Sequence, residues 1–444
     1  MFRADLIIAL YAHRVLPKAD VLIIDEAHDL GETFSEACVR GVSRRHLERL
    51  MRQASALSDG IRSVQAMMLS LFEKVHTHYS AKNWTRVEPK AFVSRAEAEG
   101  LLETLNKLIA RLEGLFAEHP ITLFTPQAEK VMLLQLRTLF AWLQTIAGTL
   151  FDFLHADSIG SATNGEPVRW VECSGRAAAS NEDTSLCVAP LYPKQEIQAG
   201  LIERFKTVML TSATLSIGGD FSYLQNQLGI EGQTLALDSS FDYGRQAKLF
   251  VHHVEPPAAG ALDEVYLNEL TQRITEMIQR SEGGALVLFT NIRVLEYVYS
   301  RLKECLGADY LLLRQGEEPR QKLLERFKAD GNAVLLGLDS FWQGIDVPGP
   351  ALRNLIIARL PFEVPDDPLH EARVEQLKKW DRDPFEEYTL PRAALRLKQG
   401  FGRLIRTKND FGEVHILDGR LLSRYYGKKL LSVFPPKLPI AGIR

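Results

Sequence analysis

Cysteine is scarce: the 444-residue chain has four, Cys38, Cys173, Cys187 and Cys305. No two lie at the short spacing of a metal clip, which argues against a zinc or iron–sulfur site built from this chain alone. Scattered thiols of this kind pack as small hydrophobes. Long apolar runs are also absent, and none reaches the ~18 residues of a membrane-spanning helix. Leu6 to Ala12, behind Arg3, faintly imitates a signal peptide. Asp5 lies beside it, however, and no small-residue cleavage pattern follows, so the expected location is the cytoplasm. Asn83-Trp84-Thr85 matches a glycosylation sequon and carries no meaning without export. The chain lacks an excess of either charge: 53 Lys and Arg against 56 Asp and Glu leave −3. Whole-chain charge therefore advertises no polyanion partner, and any basic surface is local. With 46% hydrophobic and 25% charged residues, disordered and collagen-like chains are excluded. No internal repeat or low-complexity tract stands out.

At about 150 residues per domain the length suggests three domains. Val21-Leu22-Ile23-Ile24 is a short apolar, β-branched run that ends in Asp25-Glu26-Ala27-His28. Such a run is the signature of a parallel strand buried on both faces. Acids just past its carboxyl end sit where α/β sheets take ligands. From Arg44 to Leu154 the pattern is helical, with one stripe over Leu101, Leu105, Leu108, Leu112 and Leu115, and another over Leu136, Leu139, Phe140, Leu143, Ile146 and Leu150. These read as packing faces of a helical bundle. His155 to Leu186 is polar and rich in Gly, Ser, Ala and Asn; it reads as the return from an inserted domain, with a short strand at Arg169–Glu172. Thr207–Leu210 is a further buried-strand run. Beyond Gln246, strands at Ala285–Phe289, Ala333–Gly337, Leu355–Ala358 and Val414–Leu417 alternate with helical patterns, which argues for a parallel sheet covered on both faces. The expected divisions are 1–43, 44–190, 191–245 and 246–444: an α/β lobe interrupted by a helical insertion, then a second α/β lobe.

Four strings carry chemistry. In the first, an aspartate at a strand tip (Asp25) can hold Mg²⁺ through water, and the next residue, Glu26, can polarise water for in-line attack on a phosphate; His28 can sense the nucleotide. The competing reading is that these acids cap a helix beginning near Asp29. Thr211-Ser212-Ala213-Thr214-Leu215 also follows a strand, and its hydroxyls either bridge two sites or cap a helix. In Ser340-Phe341-Trp342-Gln343-Gly344-Ile345-Asp346-Val347-Pro348-Gly349, the glycines admit a ligand to the backbone, and the aromatics either stack on bases or pack. In Gln399-Gly400-Phe401-Gly402-Arg403-Leu404-Ile405-Arg406, two arginines three apart share a helix face and can clamp phosphate; alone they are as readily a solvated face.

In order and separation these strings together resemble motifs II, III, V and VI of superfamily 2 helicases. They come nearest to the XPD-like branch that includes the bacterial DinG and YoaA helicases. The stretches VLPKADVLIIDEAHDL, LTSATLS, SFWQGIDVPG and QGFGRLIRT carry the resemblance; LVLFTN at Leu286–Asn291 resembles motif IV, and RLPFEVPDDP from Arg359 adds to it. It covers essentially the whole chain. It implies an α/β fold of two RecA-like parallel-sheet domains, the first incomplete, with an inserted helical Arch-like domain. It also implies an ATP-dependent, 5′→3′ DNA helicase of repair or replication, with ATP and Mg²⁺ between the lobes. Asp25, Glu26 and His28 would then act from the first lobe, and Gln399, Arg403 and Arg406 from the second. Gly344, Asp346 and Gly402 would line the nucleotide. Ser212, Ala213 and Thr214 would couple hydrolysis to the strand. Thr290, Asn291, Ser340, Phe341 and Trp342 would meet DNA, with Arg44, Arg45, Arg49, Arg52, Lys378 and Lys379 as further phosphate contacts. The implied partners are single-stranded, forked or damaged DNA and replication or repair proteins, with no membrane.

One hallmark is missing. The sequence has no G-x-x-x-x-G-K-[ST]; its one Gly-Lys pair, Gly427-Lys428, is followed by Lys429. That loop cradles the β- and γ-phosphates. The cysteines that hold a [4Fe–4S] cluster in many relatives have no counterpart either. The chain therefore reads as the carboxyl part of a longer helicase, with a catalytically inactive nucleic-acid-binding fragment as the alternative. A sheet without its central strand leaves apolar faces and backbone groups unpaired. The expected outcome is weak ATP binding by the purified chain; measurable ATP hydrolysis without a complementing amino-terminal piece would contradict it.

Overall fold

The computed structural model describes residues 19–54, 59–79, 84–121, 125–155, 165–174, 183–257, 263–342, 346–363 and 367–443. The chain opens on β1 (Val21–Ile24) and, after one 3₁₀ turn, α1 (Leu30–Ala37). It then enters an inserted unit of β2 (Arg40–Ser43), α2 (Arg44–Ala54), α3 (Asp59–Tyr79), β3 (Trp84–Arg86), α4 (Arg95–Glu118), α5 (Gln127–Leu154), β4 (Val168–Ser174) and β5 (Asp183–Ala189). It returns with β6 (Thr207–Leu210), which pairs with β1 in parallel, Val21 opposite Thr207 and Ile24 opposite Leu210.

The second lobe holds β7 (Ala247–His252), α6 (Glu264–Arg280), β8 (Ala285–Leu288), α7 (Ile292–Leu306), β9 (Leu312–Arg314), α8 (Arg320–Asp330), β10 (Val334–Gly337), β11 (Asn354–Ile357), α9 (Pro368–Lys379), α10 (Leu390–Phe401), β12 (Gly412–Ile416) and β13 (Ile440–Ile443). Its seven strands run parallel in the order β13-β7-β12-β11-β8-β10-β9. The sheet is covered on both faces. Leu286, Leu288, Leu335, Leu355 and Ile357 pack one way, with Trp342 and Leu397. Val287, Val334, Leu336 and Ile356 pack the other way, against Leu270, Ile274 and Val298 of α6 and α7. A continuous apolar strand is what such two-sided burial requires.

Three expectations need correction. The inserted unit is not purely helical: β2, β5, β4 and β3 form a four-stranded antiparallel sheet beneath the helices. Its sheet begins at Arg40, before the expected boundary at 44. β4, which contains the short strand expected at Arg169–Glu172, and part of β5 fall in the stretch read as a polar return; both faces of this sheet are buried, Val171, Leu186 and Val188 against the helices of the insertion and Trp170, Cys187 and Ala189 against Leu191, Leu369 and Ala372. Finally, β1 is buried on one face only. Leu22, Ile24 and Leu210 pack against Leu30, Phe34, Ile197, Leu201 and Leu228, while Val21, Ile23 and Met209 on the other face are 53%, 62% and 53% exposed. Among the described residues nothing covers that face.

Neighbouring strands β7 and β12 bring two histidines together inside the second lobe. His252 Nε2 lies 3.0 Å from His415 Nδ1, His415 Nε2 lies 3.3 Å from Glu413, and Phe250 stacks on His415 at 5.0 Å. Burial pushes both imidazoles down to about 4, assisted at His252 by His415 and Arg273 against the pull of Glu276, and at His415 by Arg280. Between the ordinary 6.5 and about 4 the unfolded chain binds the extra protons, so stability is present above this window and is lost as pH falls through it. We expect the second lobe to lose up to about 3 kcal/mol for each of the two imidazoles across the window. Melting curves at a series of pH values should record this, and His415→Gln should flatten the dependence; an already flat native profile would count against it.

Candidate active site

β1 and β6 end side by side, so motifs far apart in sequence meet at one sheet edge. Thr211 donates its N–H to Ile24 O (2.9 Å), and Ala27 donates back to Thr211 O (3.1 Å). Glu26 sits between in the left-handed region, φ 54° and ψ 38°, a conformation that costs a non-glycine residue free energy and clusters at functional sites. Asp25 Oδ1 accepts the Glu26 N–H at 2.9 Å. Both carboxylates are exposed at the tip, whereas Ala27 is buried.

Ser212 joins the two strand ends. Its hydroxyl donates to Glu26 Oε2 (3.1 Å) and lies 2.8 Å from His28 Nδ1. The same oxygen accepts from Thr214 N (3.2 Å), and Thr214 Oγ1 lies 3.2 Å away. His28 Nδ1 is also 3.3 Å from Glu26, and its Nε2 is 3.3 Å from Asp29. Thr214 is buried and Ala213 exposed.

The second lobe brings its arginines to this edge. Arg403 and Arg406 lie just past α10, and Arg403 Nε donates to Gln399 O at 3.1 Å, with Gln399 buried. Burial and then Arg406 push the Arg403 guanidinium down to about 10, opposed by the attraction of Glu26 and Asp346. Glu26 and Arg403, from opposite lobes, thus lie within each other's field. Arg406 Nε is 3.9 Å from Asp346 Oδ1, and Asp346 is mostly exposed. Gly402 caps α10, half-buried beside Arg403. Lys398 Nζ donates across the lobes to Ser216 O at 3.3 Å. Gly344 lies outside the described residues, as does the Ser340 side chain.

Two sets of residues were missed by sequence reasoning. Asp410 accepts from Arg406 N (2.8 Å), Thr407 N (2.7 Å), Thr407 Oγ1 (2.8 Å) and Gly349 N (3.0 Å). It pins the arginine loop to the end of the Ser340–Gly349 string. Burial tends to raise its carboxyl, but these donors together hold it below the ordinary value. The second set centres on Glu32 of α1. Its carboxylate accepts from Arg373 Nη1 of α9 (3.0 and 3.3 Å) and from Arg392 Nη1 of α10. Arg373 Nη2 donates to Ser35 (2.6 Å), and Arg392 Nε to Glu363 (2.6 Å). Burial pushes Glu32 up, but the two guanidiniums outweigh it and hold the carboxyl below its usual range. A signal for Arg373 existed: Leu369, Arg373 and Leu377 share one helical stripe, and the arginine is as buried as the leucines.

Two DNA expectations fail. Phe341 and Trp342 are fully buried, so neither offers a ring to a base. Trp342 Nε1 donates to Phe289 O at 3.3 Å, and Arg396 lies 5.8 Å over its ring. The indole also crowds Gly400, where an added Cβ would meet ring atoms at 2.9 and 3.0 Å. Asn291 is exposed, but its side-chain oxygen caps α7 through Arg293 N and Val294 N (2.8 and 3.4 Å); Thr290 beside it is half-buried. Arg45, Arg49, Lys378 and Lys379 are exposed, whereas Arg44 pairs with Glu48 at 3.0 Å; the Arg52 side chain lies outside the described residues.

For a metal, Asp25 fits: an exposed carboxylate at a strand tip suits Mg²⁺, which keeps several waters and takes its other ligands from phosphate. Among the described residues no three His, Cys, Asp or Glu side chains gather for a protein-made metal cage. The cysteines do not fit an iron–sulfur cluster. Cys187 is buried and Cys38 half-buried, with burial pushing both thiols up to about 12, and Cys305 is exposed elsewhere.

Residues 274–437 match the family described as the helicase C-terminal domain. The ATP-dependent DNA helicase YoaA of Escherichia coli is 30% identical over 98% of this chain and 66% of its own length. The 3′-5′ exonuclease DinG of Bacillus subtilis is 26% identical over 95% and 49%. The ATP-dependent DNA helicase DinG of Photobacterium profundum is 34% identical over 60% and 39%. The chain spans between about two-fifths and two-thirds of the length of these relatives. Among solved structures, an XPD helicase aligns with TM-score 0.57 at 17% identity (98% of this chain, 72% of that one), and S. tokodaii Xpd4 with TM-score 0.59 at 16% identity (98% and 79%). These two bear on the fold.

The burial of Trp342 gives a direct test. Trp342→Ala should destabilise the second lobe by roughly 3–5 kcal/mol, and Gly400→Ala, which presses a methyl into the indole, by roughly 1–3 kcal/mol. Urea unfolding of the two variants measures both. Weaker single-strand binding by Trp342→Ala at unchanged stability would restore the stacking role.

Proposed function

Because the chain belongs to the XPD-like DinG and YoaA branch of the superfamily 2 helicases, we propose that it forms the hydrolytic and strand-gripping part of a DNA helicase. In this reading it couples ATP hydrolysis to 5′→3′ movement along single-stranded DNA, acts on forked or damaged DNA in repair or replication, and works in the cytoplasm with repair or replication proteins. The observation that carries the reading is that Ser212 bridges Glu26 and His28 at one strand tip, that Lys398 of the second lobe reaches Ser216 O beside it, and that the charge of Glu26 acts on the Arg403 guanidinium.

Each group has a role this geometry suits. Asp25 would hold Mg²⁺ through water, and the ion would offset charge on the phosphates. Glu26, aimed by its left-handed backbone and by Ser212, would orient the attacking water. Arg403 and Arg406, buttressed by Gln399 and Asp410, would stabilise charge on the transferring phosphoryl group, as an arginine finger does. Asp346, Gly344 and Gly402 would line the nucleotide. Ser212 and Thr214 would relay the state of Glu26 to the strand, which Thr290, Asn291 and the exposed lysines and arginines would contact through its phosphates.

A second reading, a nucleic-acid-binding chain without turnover, is favoured by one feature: no residues of this sequence form a phosphate-cradling P-loop. One experiment separates the two. ATP hydrolysis is measured on the chain complemented by an amino-terminal piece that supplies a P-loop, with and without single-stranded DNA, beside strand binding by anisotropy. The motor reading expects DNA-stimulated hydrolysis that Glu26→Gln lowers by at least about 10²-fold and Arg403→Ala by about 10³-fold or more, with strand binding retained. Strand binding with no hydrolysis supports the second reading. Hydrolysis indifferent to both substitutions would overturn the roles given to Glu26 and Arg403.

A further inference from the structure

We propose that Glu32 is a positioning residue: shared by two arginines of the opposite lobe, it is the pivot that holds α10, and with it Arg403, in register with Glu26. The proposal rests on the reading that Glu26 and Arg403 act on one phosphoryl group.

Glu26 lies just before α1, and Glu32 lies within it, so the two carboxylates belong to one short rigid segment. On the other lobe, Arg392 is near the start of α10, while Arg403 follows its end. The span from Arg392 to Phe401 is about 14 Å at the helical rise. The lobes thus touch near both ends of one helix: through Glu32 at the near end and through Lys398, which donates to Ser216 O, towards the far end.

Electrostatics makes the near end the fixed one. Arg373 is 4% exposed and has its guanidinium committed to Glu32, Ser35, Tyr388 Oη (3.0 Å) and Leu191 O (3.2 Å). Arg392 is shared between Glu32 and Glu363, and Arg396 adds a contact to Glu363 at 3.4 Å. Two guanidiniums side by side repel unless an acid sits between them, and among the described residues the acid touching both is Glu32, from the other lobe. The far end is looser: Asp25, Glu26 and Asp346 are exposed. With its near end fixed at Glu32, α10 has a set direction, and Arg403 beyond its far end inherits it. Glu32 acts through Arg392 and α10 and touches no nucleotide-facing group.

The test uses the intact chain and the isosteric Glu32→Gln, with Arg392→Lys as a second variant. Hydrogen exchange should rise roughly tenfold in both Leu30–Ala37 and Leu390–Phe401, while the central strands β8, β10 and β11 stay protected. ATP turnover should fall roughly tenfold in kcat with the KM for ATP within about twofold, because Glu32 positions the arginines without binding nucleotide. Unchanged exchange in both variants, or kcat and KM lost together, overturns the proposal. If the unsubstituted chain turns over no ATP even when complemented by an amino-terminal piece that supplies a P-loop, the motor reading has failed, and the exchange experiment alone decides whether Glu32 is the pivot.

Discussion

Two guanidiniums of one lobe share a single carboxylate of the other, and the relation between the lobes depends on that sharing. Arg373 and Arg392 come from separate helices of the second lobe, yet both point at Glu32. Neither is stable in a poorly hydrated interface without an anion, and removing one partner of such a cluster leaves charge uncompensated. The geometry is also directional: a guanidinium meets a carboxylate in a planar fork, so the contact fixes orientation as well as distance. A nonpolar patch of equal size would hold the lobes together without specifying how α10 points. The ion cluster specifies it, and the arginines beyond α10 inherit their position.

What the cluster does between lobes, parallel strands do within them. β1 and β6 run side by side and deliver Asp25, Glu26 and Ser212 to one edge. In the second lobe β10 feeds the Ser340–Gly349 string, and α10 leads to Arg403 and Arg406 ahead of β12. Asp410 then ties the two together, accepting from Gly349 on one side and from Arg406 and Thr407 on the other. An acid with four donors has little freedom, so the guanidinium of Arg406 starts from a fixed backbone. Burial lowers the Arg403 pKa to about 10, which still leaves it charged at neutral pH. A charged group kept partly out of water acts more strongly on a phosphate than one already surrounded by solvent.

The second lobe was legible in the sequence because its strands are buried on both faces and therefore apolar throughout; β8, β10, β11 and β12 all fall where apolar runs stand. β9 and β13 escaped notice because they lie at the sheet's two edges and are short and mixed in composition. β4 was anticipated in part, at Arg169–Glu172, while β5 escaped because Asp183, Thr184 and Ser185 break its apolar run. The strand-tip motifs were legible as chemistry, since acids, hydroxyls and paired arginines at strand and helix ends have few other uses in combination. Phe341 and Trp342 left stacking on bases and packing both open in the sequence for a physical reason: an aromatic beside a ligand loop looks the same whether it faces the ligand or braces the loop. Glu32 and Asp410 were invisible as site residues because a lone acid on a helix or in a turn is ordinary, and only the fold reveals how many donors converge on it.

Glu26 carries the deepest constraint on the site. Its left-handed backbone is disfavoured for a residue with a Cβ, so the surroundings must enforce it. They do so from both sides. Ile24 is held in the β1–β6 ladder, and Ala27, buried, donates to Thr211 across the same pair of strands. With residues on either side fixed, the turn has one way to pass between them. That turn lifts the Glu26 carboxylate out of the strand direction and toward Ser212, whose single hydroxyl proton goes to it while His28 and Thr214 take the oxygen. A glycine here would relieve the backbone and lose the carboxylate. The strain and the chemistry are therefore inseparable: the same pairing of β1 with β6 that forces the unusual backbone also sets the acid, the hydroxyl and the imidazole within reach of one another.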